Sequence, residues 1–469
     1  MTESLHHGTR EDFFRFSEVL SALSFALDIV EGQPQGHVVR SSYIGMVLGE
    51  RIGLDEEQRS ALFYALLLKD AGCSSNASRT SALFEADDFE VKRKFKTVDW
   101  DRLSESILYG ARAVSPQSGL WHRIRRFLIL GAEGQKASRH LMQIRCERGA
   151  EITRLIGFPE ETAQAVRNLD EHWDGAGHPD GLEGEEIPLL ARICGLSQTA
   201  EVFYTEHGAA RAEEVVKARR EKWFDPDLVD VFLTEARKGD IWEPLGSPDI
   251  TQSLSRMEPA DKTMLATTER LDLVARAFAE IIDAKSPFTY QHSQGVANVA
   301  VAMSRRMGLQ GGELRDQMRA GLLHDIGKLG ISSRIMDKPG PLTDNEFARI
   351  KEHPKLSRDI LCRVTPFSNI VERCANHHEK LDGSGYPRGL KAEDLDLPTR
   401  ILTVADIFDA LCKDRPYRPG MPLDRALAIL DEESGDKLCP ESVATLKDLI
   451  SDGEIRTDNQ SDQVSGGFS

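Results

Sequence analysis

Apolar residues recur at intervals of three and four along most of the chain, which is the period of an amphipathic helix. The segments LDLVARAFAEIIDA (271–284) and GVANVAVAMSRRMG (295–308) both place their apolar residues on one face. Runs that alternate strictly between apolar and polar residues, as strands do, are scarce. The pattern therefore predicts an all-α fold with loops at the clusters of Gly and Pro.

The helical pattern occurs twice, which predicts two tandem helical bundle domains. GHVVRSSYIGMVLGERIGL in the first half matches QHSQGVANVAVAMSRRMGL in the second, and WDGAGHPDGL matches LDGSGYPRGL. The spacing from His37 to Asp70 is identical to the spacing from His292 to Asp325. The first copy has a longer connection between its two matching blocks, and we place the extra segment around 75–135.

Composition shifts suggest where the copies begin and end. We expect a first copy at 1–235, a linker at 236–261 rich in Pro, Gly and charge, a second copy at 262–452 and a disordered polar tail at 453–469.

The composition indicates a soluble cytoplasmic protein. The 469 residues are 40% hydrophobic and carry a formal net charge of −17, which disfavours a DNA-binding role. Neither a secretory signal nor a run long enough to span a membrane is visible. The seven cysteines are scattered without a CxxC motif, as expected in a reducing compartment.

Five histidines in the second copy point to a metal site. They are His292, His324, His353, His377 and His378. One of them precedes Asp325 within the apolar run GLLHDIGKLG, where a buried carboxylate is costly unless something pairs with it. Five imidazoles and several carboxylates exceed one tetrahedral zinc site and suit two metals bridged by a carboxylate.

A glycine-rich loop follows the paired histidines in HHEKLDGSGYPRGL (377–390). Gly383, Gly385 and Gly389 allow close approach of the backbone to a ligand, and Pro387 stiffens the turn. Tyr386 could stack on a base or bond to a phosphate. The basic residues after it could hold a phosphate, although each alone is more typical of a solvated surface; they are Arg388, Lys413, Arg415 and Arg418.

These motifs closely resemble the HD-GYP phosphodiesterases, a branch of the HD superfamily of metal-dependent phosphohydrolases. The resemblance covers roughly 262–452 and includes DAKSPFTYQHS, LLHDIGKLGIS, EHP and ILTVADIFDALCKDRPYR beside the glycine-rich loop. It implies a helical domain with two or three metal ions, often iron or manganese. It also implies hydrolysis of the bacterial second messenger cyclic di-GMP to pGpG or GMP, while some members prefer cyclic GMP-AMP.

Matching the family position by position gives a complete set of site residues. The implied metal ligands are His292, His324, Asp325, His353, His377, His378 and Asp406. The resemblance makes Asp325 the bridge between two metals and gives Lys328 the task of meeting the phosphate or orienting the attacking water. It places Tyr386, Arg415 and Arg418 near the substrate. Members with three metals carry a Glu where this chain has Phe288, so we expect two divalent ions, iron or manganese.

The loop also contains acidic residues whose role stays open. Asp382 and Glu379 either orient ligand imidazoles or, for Asp382 in particular, cap the loop.

The first copy has lost most of this set. Only His37 and Asp70 keep a ligand type, because Lys69, Arg145, Leu169, Asp170 and Gln198 replace the other five. Cys73 replaces Lys328, and His178 replaces Tyr386. A lysine at position 69 puts a cation where a metal would sit, where it could pair with Asp70. We expect a degenerate copy that serves dimerisation, regulation, nucleotide sensing or packing alone.

Three functions remain open on the sequence. The first is a cyclic di-GMP phosphodiesterase that could form a homodimer. The second is a phosphohydrolase acting on another nucleotide or phosphate ester, such as cyclic GMP-AMP. The third is a non-catalytic adaptor that binds a cyclic dinucleotide.

Overall fold

The computed structural model is helical throughout the residues that it describes, which are 14–98, 109–110, 112–116, 118–260, 264–289, 291–414 and 419–455, with the backbone alone at 129–138. Within these ranges the extended contacts are isolated bridges and none forms a strand. No helix in the described part of the chain is long and apolar enough to cross a membrane. The predicted all-α fold is confirmed.

The helices of the first half lie between residues 16 and 255. They are Phe16–Val30, His37–Arg51, Glu56–Leu68, Ala77–Phe84, Asp88–Thr97, Leu120–Ile156, Glu160–Asn168, Leu189–His207, Ala209–Ala218, Pro226–Lys238, Trp242–Leu245 and Ile250–Ser255. Those of the second half are Thr268–Asp283, His292–Arg306, Gly312–Leu323, Ser333–Met336, Asp344–Ile350, His353–Leu361, Val371–Asn376, Leu397–Cys412, Leu423–Glu433 and Pro440–Ser451. Short 3-10 turns lie at Cys73–Asn76, Gly184–Glu186, Ile326–Gly330, Thr365–Ile370 and Ala392–Asp394.

Matching elements in the two halves bear out the tandem repeat. His37–Arg51 and His292–Arg306 both have 15 residues and both begin at a histidine. An aspartate, Asp28 or Asp283, precedes each of these two helices at the same spacing and accepts hydrogen bonds from the backbone at the start of that helix. The same local sequence signal thus builds the same helix start twice.

The longer connection in the first half adds structure that the second half lacks in this form. It contains Ala77–Phe84, Asp88–Thr97 and the start of the 37-residue helix Leu120–Ile156. The first half therefore has extra helices between its two matching blocks.

The two halves share one continuous apolar core. Phe16, Leu20 and Leu27 belong to the same buried cluster as Phe278 and Leu329. Such a shared core fixes the two bundles against each other, because burial of apolar surface is the main stabilising contribution to folding.

The segment 236–261 is tied to the first half. Glu258 accepts hydrogen bonds from Ser17 at 2.7 Å and from Tyr64 at 2.6 Å. The predicted boundaries of linker and copies stay predictions. The predicted disordered tail lies outside the described residues, apart from 453–455.

Candidate metal centre

The ends of several helices in the second half bring the seven predicted ligands to one place. Three of these side chains are His292 and His353, the first residues of their helices, and Asp406 in the helix Leu397–Cys412. The other four follow the C-terminal ends of helices; they are His324, Asp325, His377 and His378. All are buried except His378, whose side chain is 22% exposed. The site is thus closed on most sides and open at one.

Asp325 lies between two groups of donors. Its Oδ2 is 3.6 Å from Nε2 of His292 and 3.3 Å from Nε2 of His324. Its Oδ1 is 3.2 Å from Nε2 of His353 and 3.7 Å from Nε2 of His377. One carboxylate therefore presents one oxygen to each group, as a carboxylate that bridges two metals must.

Asp406 and His378 complete the two groups. Asp406 Oδ1 is 3.2 Å from His292 Nε2, and its Oδ2 is 3.7 Å from His378 Nδ1. Donor atoms of His292, His324 and Asp406 converge within 4.8 Å of one another, as do those of His353, His377 and His378.

Hydrogen bonds on the far side of the rings aim the imidazoles inward. Nδ1 of His324, His353 and His377 each meets the backbone carbonyl three residues earlier, at 2.7–2.8 Å. Nδ1 of His292 instead lies 2.6 Å from a carboxylate oxygen of Asp409. These bonds fix the ring orientation and leave Nε2 facing the centre, the usual arrangement of metal-ligating histidines.

Asp409, which contacts a predicted ligand, is a residue that the sequence reasoning missed. It stands three residues after Asp406 on the same helix, and residues three apart share a helix face. That spacing was the available signal.

Several inward atoms have no hydrogen-bond partner among the described residues. They are Nε2 of His292, Nε2 of His324 and Oδ1 of Asp325, all buried. Unpaired buried polar atoms cost free energy, which a coordinated cation would offset. The imidazole and carboxylate donors suit divalent iron, manganese or zinc, so the residues fit a metal centre.

The charge state of these groups also suits a cation. Burial alone raises the pKa of Asp325, yet Lys328 and His324 hold it well below its usual range. Burial and the neighbouring imidazoles lower the pKa of His377, and burial lowers that of His378 to about 3. The carboxylate is therefore ionised and these two imidazoles are neutral near pH 7, as metal ligands require. Against the effect of burial, Asp325 and Asp406 raise the pKa of His324 to about 10, so this imidazole must release a proton to bind a metal.

Two carboxylates that do not belong to the predicted ligands hold the glycine-rich loop. Asp382 Oδ1 accepts from Ser384 N at 2.9 Å, so this residue caps the turn. Glu379 accepts from the backbone N–H groups of Arg388 and Leu390 at 2.6 and 2.9 Å. Neither residue orients an imidazole in these contacts.

Close packing explains the glycines of the loop. A Cβ on Gly385 would lie 2.4 Å from the backbone nitrogen of Lys380, and Gly383 has a φ of +80°. The Tyr386–Pro387 peptide is cis. The loop consequently lies directly against the HHE segment.

The loop brings Tyr386 to the open side of the centre. Its ring lies 4.8 Å from the ring of His378, and Lys351 Nζ lies 5.3 Å from the Tyr386 ring. Lys328 Nζ donates to Asp325. Lys351 was not predicted from the sequence as a site residue, because it lies outside the recognised motifs.

Two of the four predicted basic residues, Arg388 and Lys413, have protein partners. Arg388 Nη2 pairs with Glu372 at 2.6 Å and bonds to Asn376, while Lys413 Nζ donates to the Gln291 carbonyl at 2.7 Å. Both cations thus have protein partners in place of a phosphate. Arg415 and Arg418 lie outside the described residues.

In the first half, Lys69 stands at the sequence position that matches His324 of the second half. Lys69 Nζ contacts Asp70, lies 2.8 Å from His37 Nε2 and is 3.3 Å from Gln198 Oε1. Glu201 contacts His37 Nδ1, as Asp409 contacts the Nδ1 of its histidine. The pairing of Lys69 with Asp70 agrees with the prediction.

Further cations complete the charge balance around Asp70. Its Oδ1 is 3.5 Å from Lys96 Nζ and 3.6 Å from Arg145 Nη2. Glu31, Asp70 and Cys73 have converging donor atoms, but the two acidic groups already face these cations. Protein side chains thus supply the positive charge here.

Comparisons with known proteins cover both halves. The model of the HD domain family matches residues 132–228 and 276–441. The 3′3′-cGAMP-specific phosphodiesterase 3 of Vibrio cholerae serotype O1 is 40% identical over 457 residues, which are 97% of this chain and 99% of that protein.

Two further relatives are a solved structure and a partial match. The crystal structure of a cyclic GMP-AMP specific phosphodiesterase from Vibrio cholerae is 36% identical, covers 94% of this chain and 98% of its own, and has a TM-score of 0.63. A cyclic di-GMP phosphodiesterase of Pseudomonas aeruginosa is 39% identical over 150 residues, which are 32% of this chain and 36% of that protein.

Proposed function

Because the chain belongs to the HD domain family of phosphohydrolases, in the HD-GYP branch, we propose that its second copy is a metal-dependent cyclic dinucleotide phosphodiesterase. The single observation that carries the proposal is the placement of Asp325, which presents one oxygen to each of two histidine groups. An adaptor that only binds a nucleotide has no need of such a buried, oriented donor set.

We propose 3′3′-cyclic GMP-AMP as the preferred substrate. The support is the relative that matches this chain over nearly its whole length and is named for that substrate. The sequence had favoured cyclic di-GMP with cyclic GMP-AMP as the alternative, and the comparisons support the alternative better. Cyclic di-GMP stays as the second candidate, supported by a shorter match to a cyclic di-GMP phosphodiesterase.

The proposed cofactor is a pair of divalent ions, iron or manganese. His292, His324, Asp325 and Asp406 would hold one, and Asp325, His353, His377 and His378 the other. Bound ions of this kind supply a hydroxide nucleophile at neutral pH and stabilise negative charge on phosphate oxygens. Phe288 stands at the sequence position where members with three metals carry a glutamate, and its side chain has no donor atom, which favours two ions.

The remaining side chains of the site would bind and orient the substrate. Lys328 is 19% exposed and sits beside Asp325, where its ammonium can face a phosphate. Tyr386 presents a ring at the open side for stacking against a base, and Lys351 adds positive charge beside it. The loop anchored by Glu379 would fix the position of Tyr386.

Hydrolysis of a substrate pair tests this proposal. The full chain, purified without oxygen and loaded with manganese, would be incubated separately with 3′3′-cyclic GMP-AMP and cyclic di-GMP, and the linear products separated by chromatography. Asp325→Ala should abolish hydrolysis, whereas Asp424→Ala, at an exposed position of the same half, should not.

We expect kcat/KM for 3′3′-cyclic GMP-AMP to exceed that for cyclic di-GMP by about tenfold or more, a difference of about 1.4 kcal/mol in transition-state binding. The reverse order would make cyclic di-GMP the substrate. Hydrolysis of neither by the metal-loaded chain would overturn the proposed activity.

A further inference from the structure

One helix of the first half reaches both the degenerate site and the candidate metal centre. Asp88, the first residue of the helix Asp88–Thr97, is fully buried against the second half. Its Oδ1 accepts from Ser333 N at 2.8 Å and from Ser332 Oγ at 3.1 Å. These two serines closely follow the 3-10 turn Ile326–Gly330. A carboxylate from one copy thus holds the segment that leaves the metal-binding turn of the other.

A buried lysine of the second half joins the same contact. Lys285 is fully buried, and its Nζ donates to the carbonyl of Leu329 at 2.6 Å. The ammonium also lies 3.9 Å from Asp88 Oδ2 and 4.2 Å from the centre of the Phe89 ring. Burial lowers the pKa of Lys285 to about 8, against the opposing pull of Asp88. The first half therefore supplies the charge and the ring that keep this ammonium inside the protein.

The hydrogen bond from Lys285 is accepted within the turn Ile326–Gly330, which directly follows Asp325. Leu329 follows Lys328 directly and lies four residues after Asp325. The turn also contacts the first half beside this bond, because a Cβ on Gly330 would lie 3.4 Å from Cγ2 of Ile29. A shift of the turn would move Asp325 away from its two histidine groups.

The other end of the helix Asp88–Thr97 is anchored in the degenerate site. Lys92 Nζ donates to the Cys73 carbonyl at 2.6 Å. Lys96 pairs with Glu31 and lies 3.5 Å from Asp70 Oδ1. Asp70, which matches the predicted metal ligand Asp325, and Glu31 thereby hold the helix that supports the other copy.

We propose that Asp88 and Lys285 are positioning residues that hold the turn Ile326–Gly330 in its catalytic place, and that the degenerate site serves to anchor the helix carrying Asp88. The catalytic consequence rests on the proposed phosphodiesterase function. Metal ligands need support of this kind, since a displacement of a fraction of an ångström weakens coordination and catalysis.

Four full-chain variants test the proposal: Asp88→Asn, Lys285→Met, the two combined, and Glu90→Gln as control. Glu90 lies on the same helix, is 70% exposed and pairs only with exposed Lys94 among the described contacts. Breaking one partner of a buried charge pair is destabilising, whereas removing both charges relieves that cost. The double variant should accordingly regain much of the melting temperature that either single variant loses.

Activity should not return with stability. Since the double variant still lacks the donor to the Leu329 carbonyl, we expect its kcat to stay about tenfold below wild type with KM changed less than about twofold. Amide hydrogen exchange of the metal-free chain should rise at residues 326–331 in Lys285→Met and in the double variant. It should stay at the wild-type rate in Glu90→Gln.

Two results would overturn the proposal. One is a double variant that regains kcat together with melting temperature, which would show a role in stability alone. The other is unchanged exchange at residues 326–331 in Lys285→Met and in the double variant. If the wild-type chain hydrolyses no cyclic dinucleotide, the proposed function fails, while the exchange rates still decide whether these residues position the turn.

Discussion

Replacement of Asp409 by Asn probes the orientation of one metal-binding histidine. Asp409 Oδ2 lies 2.6 Å from His292 Nδ1, and an ionised carboxylate in this place raises the basicity of Nε2 on the other side of the ring. Asparagine preserves the size and one acceptor oxygen but removes the charge. The ring should stay near its position and become a weaker ligand.

The expected loss of metal affinity follows from the contact between Asp409 and His292. Removal of such an outer partner of a ligand histidine typically lowers metal affinity 10- to 100-fold, which is about 1.4–2.7 kcal/mol. Asp409 also lies 3.4 Å from Lys413 Nζ, but that lysine side chain is 22% exposed and the lost ion pair adds little. The larger part of the effect therefore acts through His292.

Manganese titration by calorimetry measures this change directly. The matched control is Glu201→Gln, because Glu201 contacts the Nδ1 of His37 in the same way within the half where Lys69 supplies the cation. We expect weaker binding in Asp409→Asn and unchanged binding in Glu201→Gln. Equal affinities in Asp409→Asn and wild type, or equal losses in both variants, would refute the assignment.

Three more outcomes follow from single contacts. Lys69→Met should lower the melting temperature, because it strips a buried partner from Asp70, a loss typically costing about 3–5 kcal/mol; an unchanged melting temperature would contradict the ion-pair account. The ring of His172 stacks on Trp223, and burial lowers its pKa from 6.5 to about 4. The neutral ring therefore contributes fully to the free energy of unfolding above pH 6.5, and this contribution is lost as the pH falls toward 4. Stability of His172→Gln in urea should consequently fall less over that range, and an identical pH profile would refute this. Glu379→Gln should raise KM more than it lowers kcat in steady-state assays, since the loop loses charge-assisted bonds worth about 1.5–3 kcal/mol, and a pure kcat effect would argue against a loop role.

The sequence was sufficient to predict the repeat and the gathering of the seven side chains. Their motifs are local, so the histidines and Asp325 already pointed to a metal site, and the family resemblance supplied the full set of ligands. The replacement of a histidine by Lys69 was readable for the same reason, since its neighbour Asp70 is adjacent in the chain.

Contacts between residues far apart in the sequence could not be predicted. Asp88 and Lys285 belong to different halves of the sequence, and Lys96 lies on a different helix from the segment that carries Asp70. Only the packing of the inserted helix brings these groups together. The ion pair of Arg388 was equally hard to predict, because nothing in the sequence around Arg388 signals that Glu372 lies within reach to pair with it.

Metal content per chain tests the central claim most directly. The full chain would be purified without oxygen and loaded with manganese, and its bound metal would be measured by mass spectrometry beside an Asp325→Ala/His377→Ala variant. We expect about two ions per chain in the wild type and none in the variant, because the Asp70 site is filled by Lys69. Metal retained at wild-type level by the variant would place it outside the second copy and contradict the account.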